Sequence, residues 1–174
     1  LAGDVEVPYI MGKIKEYFGT IPSGEAFPPL TIRDPEPAGE KRFIVKRKDA
    51  PNLMTIAFKT PEVGHPRLFA LDIAEGVLNG RSGRLYKRLV EEEKLAISVR
   101  AANSPNKYVS EFSISVQLRP DASLEKAEKI IWEELERLKN EPVSLREFQK
   151  VKNNSYASIV RSLRDMENVA TMLA

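Results

Sequence analysis

The side chains that could do chemistry are few, and they fail to assemble into a known catalytic set. The chain has one histidine, His65, in Gly64-His65-Pro66, and no cysteine. A zinc site takes at least three protein ligands, mostly His or Cys, so this chain cannot build one without an unusual carboxylate cluster. Neither HExxH nor its inverted form HxxEH occurs. His65 therefore reads as a polar residue at a helix start. Gly-x-Ser-x-Gly is also absent. Gly80-Arg-Ser-Gly83 resembles a nucleophile turn but has no strand-to-helix setting and no histidine partner. No Gly-Lys-Ser/Thr follows Gly76, Gly80 or Gly83, which excludes a P-loop. Glu91-Glu92-Glu93 could offer oxygens to a cation, but consecutive helical side chains diverge, so a solvated helix end is expected there.

The elements that would position these groups can be read from periodicity. The most informative stretch runs from Gly83 to Val99. It predicts a short helix ending in a charged run that turns directly into a strand, with Leu85, Leu89, Leu95, Ile97 and Val99 as its apolar positions. Before it, Arg42 to Arg47 and Asn52 to Thr60 read as strands, the second with Met54, Ile56 and Phe58 on one face. Pro66 to Asn79 reads as a helix, with Pro66 in its first turn and Gly80 at its end. Strands are predicted again at 95–102 and 108–119. In the latter Phe112, Ile114, Val116 and Leu118 oppose Ser113, Ser115, Gln117 and Arg119. Ser104-Pro-Asn-Lys107 is the expected hairpin connection.

Ser123 caps a helix with Leu124, Ala127, Ile131, Leu135 and Leu138 at helical spacing. Ser144 and Glu147 form a capping box for the next, with Phe148, Val151, Ser155 and Ile159 as its expected buried face. Residues 165–174 read as the start of another helix. Strands with one polar face, followed by long helices, predict an α+β fold: an antiparallel β-sheet with helices layered on one face.

Residues 8–18 read as a separate helix, with Gly19 past its end and Ile10, Ile14, Tyr17 and Phe18 as an apolar stripe. Pro22, Pro28, Pro29, Pro35 and Pro37 then mark an extended connection. The expected organisation is residues 1–20 as the tail of a preceding domain, 21–41 as a Pro-rich linker, and 42–174 as a second domain that is incomplete at its C-terminal end. The stripe on helix 8–18 needs a neighbour, and a second copy of the chain would serve.

Composition bounds the function classes. The 174 residues are 42% hydrophobic and 30% charged, which suits a globular fold. A net charge of +2 from 27 basic and 25 acidic residues, well mixed, is no nucleic-acid footprint. No apolar run approaches the ~20 residues of a membrane span. The expectation is a soluble protein of cytoplasm or periplasm, with the compartment undetermined.

Several passages together resemble the insulinase family of zinc peptidases, which includes pitrilysin and the mitochondrial processing peptidase. Asp4 and Tyr17-Phe18-Gly19-Thr-Ile-Pro22 are similar to its Gly-Asp-Val and "yFG-x-iP" passage. His65-Pro66 opening a helix, then Leu78-Asn79-Gly80-Arg-Ser-Gly83-Arg84-Leu85-Tyr86, resembles "vL-x-G-x-S-S-R-L-y". Leu89 and Leu95-Ala96-Ile97-Ser98-Val99 resemble "L-R-E-x-x-x-L-A-Y-S-V". The resemblance implies the second, metal-free half of a metallopeptidase, set opposite a homologous domain that binds zinc. That half would help enclose a peptide or unfolded protein substrate. The family's facing half often carries an Arg and a Tyr seven residues apart. By register these positions are Val90 and Ile97, neither able to donate a hydrogen bond. No catalytic residue and no metal ligand is therefore assigned to this chain; zinc is expected in the upstream domain. Either a partner chain supplies the pair, as in a heterodimer, or the module is structural or chaperone-like.

Overall fold

In a computed structural model of the protein, residues 3–28, 31, 35 and 37–173 are described. The expected strand end at Leu1-Ala2 and linker residue Pro29 lie outside these. Contacts divide the chain into two units, residues 34–152 and residues 1–33 with 153–174.

The larger unit is built on a three-stranded antiparallel sheet in the order β1-β3-β2, with β1 at Leu53–Thr60, β2 at Ala96–Ser104 and β3 at Ser110–Leu118. Strict alternation along β3 buries Ser110, Phe112, Ile114, Val116 and Leu118. Pairing sets Met54 against Val116, Ile56 against Ile114 and Phe58 against Phe112. It sets Val99 and Ala101 against Val116 and Ile114 from the other side. These side chains share one face, because side chains on paired strands keep phase across the ladder. Helices supply the other layer: α2 at Leu68–Leu78, α3 at Arg84–Tyr86 and α4 at Leu124–Asn140. Their Leu78, Leu85, Ala127, Ile130 and Ile131 join the sheet face in one core. The α+β arrangement with helices on the apolar face of an antiparallel sheet is thus the observed one. Ser123 caps α4 as expected, its Oγ accepting from the Lys126 N–H at 3.1 Å.

Two expectations need correction. Residues 42–47 form no strand, and Phe43, Ile44 and Val45 are exposed. β-propensity alone does not hold a strand; a ladder partner is needed, and β1 pairs only with β3 among the described strands. Along β2 the alternation of Leu95, Ile97 and Val99 is broken. Ala96 opposes Leu118 but Ser98 opposes Gln117, so Ile97 is the extra residue of a β-bulge and is 52% exposed.

The two sheet edges are treated differently. Asn79, just past α2, donates through Nδ2 to the Ala101 carbonyl at 2.6 Å and accepts from the Ala101 N–H at 2.7 Å. Its amide thus mimics one rung of a neighbouring strand. The Asn103 N–H donates to Glu75 at 2.9 Å, and Asn103 Nδ2 to Asp72 at 2.7 Å. Side chains of α2 and its C-terminal turn therefore close the outer edge of β2, a common way to blunt an edge.

Two helices follow α4: α5 at Leu145–Ser162 and α6 at Met166–Leu173. Of the α5 positions expected to be buried, Val151 is buried, whereas Phe148 and Ile159 are exposed. In the smaller unit, α1 at Val7–Phe18 carries Pro8 in its first turn and Gly19 at its C-cap. None of its residues is fully buried; Ile10 and Ile14 are half-buried, and Tyr17 and Phe18 are exposed. No helix among the described residues is long and apolar enough to cross a membrane.

On α2, Gly76 packs directly against Val151 of α5. A Cβ there would run into both methyls of Val151, a stiff β-branched side chain that is 4% exposed. Gly76→Ala is expected to lower stability by about 1–3 kcal/mol through overpacking, read by urea denaturation. Adding Val151→Ala should recover part of that loss; a simple sum of two penalties would show that the contact is not the cause.

Candidate functional site

The stretch from Gly83 to Val99, the most informative part of the sequence, and the turn that leads into it have an irregular backbone. Gly80 sits at φ +78°, a conformation that favours glycine, and turns the chain out of α2. The helix α3 then widens without a break into a π-helical turn at Lys87–Glu92. The Glu93 N–H reaches the Arg88 carbonyl at 3.0 Å, and the Leu95 N–H reaches the Leu89 carbonyl at 2.9 Å. Lys94, in the left-handed region at φ 53°, closes this end as a C-terminal cap does. Two residues later β2 begins with its bulge. Such wide turns and bulges cluster near functional positions because they re-aim individual side chains.

Val90 lies inside the π-helical turn, half-buried against the core. Ile97 lies in the bulge, exposed. The widened turn and the extra strand residue therefore fall at Val90 and Ile97.

Ion pairs fix this turn to the helices behind it. Arg84 forms a two-pronged bridge to Glu147 on α5, Nε to Oε1 at 2.7 Å and Nη2 to Oε2 at 3.0 Å. Such fork geometry is both strong and directional. Arg88 donates to Glu134 at 3.1 Å and to Glu133 at 2.8 Å, both on α4. Arg137 adds a third guanidinium, 3.3 Å from Glu134. Glu134 is fully buried. One of its oxygens, Oε2, and Arg84 Nη1 have no hydrogen-bond partner among the described residues. Glu147 also accepts from the Ser144 hydroxyl at 2.7 Å and N–H at 3.1 Å, while its own N–H donates to Ser144 Oγ at 3.3 Å. The expected capping box is thus formed, and it orients the carboxylate toward Arg84.

Glu134 and Asn79 were missed by sequence reasoning. Glu134 continues the Ala127, Ile130, Ile131 row at helical spacing, with Arg137 one turn on, and that pattern could have placed it inside.

The remaining candidates do not assemble. His65 is exposed in the turn before α2, its Nδ1 accepting from the Arg67 N–H at 3.1 Å. Glu93 pairs with Lys126 at 2.6 Å, which holds its carboxyl below the usual range; Glu91 and Glu92 face solvent. No group of three or more His, Asp or Glu side chains that could hold a metal occurs among the described residues. With one His and no Cys, the residues present do not fit a zinc ion.

Comparison with known proteins agrees with the passages that carried the resemblance. The family model of the peptidase M16 inactive domain matches residues 1–155. A Helicobacter pylori protein named zinc protease PqqE is 27% identical over the whole of this chain, which spans 40% of that protein's length. The crystal structure of a protease from Helicobacter pylori superposes with a TM-score of 0.91 over 99% of this chain and 43% of its own, at 24% identity. An inactive peptidase domain from Bordetella parapertussis gives a TM-score of 0.63 at 27% identity, over 74% of this chain and 72% of its own.

Glu147 yields a pH prediction. The Arg84 hydrogen bond, helped by Ser144 and opposed by burial, holds its carboxyl down to about 2. A carboxylate with a depressed folded-state pKa stabilises above its unfolded value, about 4.3, and loses that contribution as pH falls toward 2. Glu147→Gln should cost about 1–3 kcal/mol at pH 7 and flatten the stability loss between about pH 5 and pH 2. Urea titrations across that range provide the check; an unchanged acid slope would show that Arg84 and Glu147 are not coupled.

Proposed function

The chain belongs to the family of the peptidase M16 inactive domain, and from that premise we propose that it is the non-catalytic half of a zinc-dependent endopeptidase. In this reading it helps to enclose a peptide substrate opposite a homologous domain that binds the zinc. Residues 1–20 form the tail of that upstream domain, 21–41 the linker, and 42–174 the metal-free half. The observation that carries the reading is the 27% identity to a protein named as a zinc protease across the full chain, in a sequence with one His and no Cys. Val90 and Ile97 are the substrate-facing positions of this half. Its activity depends on a partner chain that supplies the Arg and the Tyr, and the apolar stripe of α1 offers one surface for a homologous domain or second copy.

One observation favours a second reading. Both donor side chains are replaced by apolar ones at 90 and 97, as a purely structural or assembly module would tolerate.

The isolated chain is expected to cleave no peptide and to hold no stoichiometric zinc. Elemental analysis after dialysis against zinc reads this directly, and one tightly held zinc per chain would overturn it. The substituted pair has its own test. In a full-length parent shown to bind zinc, Val90→Arg with Ile97→Tyr should raise partner-independent peptide cleavage by more than about tenfold, since a single well-placed oxyanion donor is worth roughly 2.7–4 kcal/mol. No gain would favour the structural reading.

A further inference from the structure

Successive residues of β2 turn their backbone N–H and C=O alternately toward β3 and away from it. Ala101 gives both groups to the side chain of Asn79, so it is an outward residue, and Val99 and Asn103 are outward with it. Their side chains share the core face, opposite Val116, Ile114 and Phe112 of β3. The outward groups are those that a further antiparallel strand would engage. Asn79 takes both groups of Ala101, at 2.6 and 2.7 Å, and Glu75 takes the Asn103 N–H at 2.9 Å.

This closure is specific in its chemistry. An Asn amide carries donors on one atom and an acceptor on another, so it can answer both groups of one strand residue as a partner strand would. Glu75 then sets a carboxylate at the next outward residue. A chain arriving at this edge must displace Asn79 and bury Glu75 against its own backbone, and an unpaired buried charge is costly. The strand itself has no such defence. Ala96–Ser104 contains no Pro, and its single charged residue, Arg100, is exposed on the polar face.

The edge is also self-complementary. With a two-fold axis at Ala101, Ala101 of one copy faces Ala101 of another, and Val99 faces Asn103, outward residue to outward residue. Arg100 then lies opposite Ala102. The register centred on Arg100 instead would set two guanidinium groups directly opposite each other.

We propose that Asn79, with Glu75, is a guard that keeps β2 from pairing with β2 of a second copy, and that the register centred on Ala101 is the one it prevents. Without these two side chains the sheets of two copies join through β2 into one continuous sheet. Asn79 is therefore retained for what it excludes as well as for the two bonds it makes.

The test is Asn79→Ala with Glu75→Ala, followed by backbone amide exchange and light scattering over a range of concentrations. In dilute solution the Ala101 and Asn103 amides should exchange faster than in the unsubstituted chain by about tenfold or more. At high concentration protection should return at Val99, Ala101 and Asn103, with growth to a dimer. In the unsubstituted chain, exchange at these three residues should not vary with concentration. Where circular dichroism shows the double variant to be unfolded, Asn79→Ala alone decides, because Glu75 keeps its bond to Asn103; protection should then return at Val99 and Ala101. No association at any concentration, or association that leaves these amides unprotected, overturns the proposal. Concentration-dependent protection of the same amides in the unsubstituted chain overturns it as well, because the edge would then be unguarded.

Discussion

Everything in the larger unit is referred to β3. It is the only described strand paired on both sides, and its five inward side chains are all buried. Antiparallel pairing to a buried middle strand leaves its neighbours no freedom of register, since a slip by one residue would turn Met54, Ile56 and Phe58 to solvent. The helices are constrained in turn, because Leu78, Leu85 and Ile131 must meet the face that β3 defines. The polar face opposite, with Glu111 and Ser115, stays open. Asn79 and Glu75 close the β2 edge of the sheet.

Given that frame, the turn between α3 and β2 is where the chain departs from regular geometry. A π-helical turn, a non-glycine residue in the left-handed region and a β-bulge fall within Lys87 to Ser98. Irregular backbone has a cost, and persists where the surroundings over-determine it. The surroundings here are Arg84 and Arg88, held by Glu147, Glu133 and Glu134 from two helices. Removing one member would strand a buried charge, which costs more than the intact pair gains. The irregular backbone is thus held with Val90 in the π-helical turn and Ile97 in the bulge.

The sequence by itself determined the fold class, the capping of α4 and α5 and the apolar face of β3. Each of these is local: side-chain period, a Ser three residues before its Glu, strict alternation over nine residues. It also determined that no zinc site of the usual His and Cys ligands can form within this chain, which has one His and no Cys. The passages resembling insulinase-type peptidases were legible for the same reason, as short motifs in fixed order. What only the tertiary structure decided is long-range. Whether 42–47 is a strand depends on a ladder partner, not on its β-branched residues. Whether Ile97 faces the core depends on the bulge opposite Leu118 and Gln117, which alternation in one strand cannot reveal. Glu134 became a buried anion because Arg88, 46 residues away in sequence, is carried to it by packing. Pairing, register and charge burial are properties of two segments at once, and a single segment carries only half of the information.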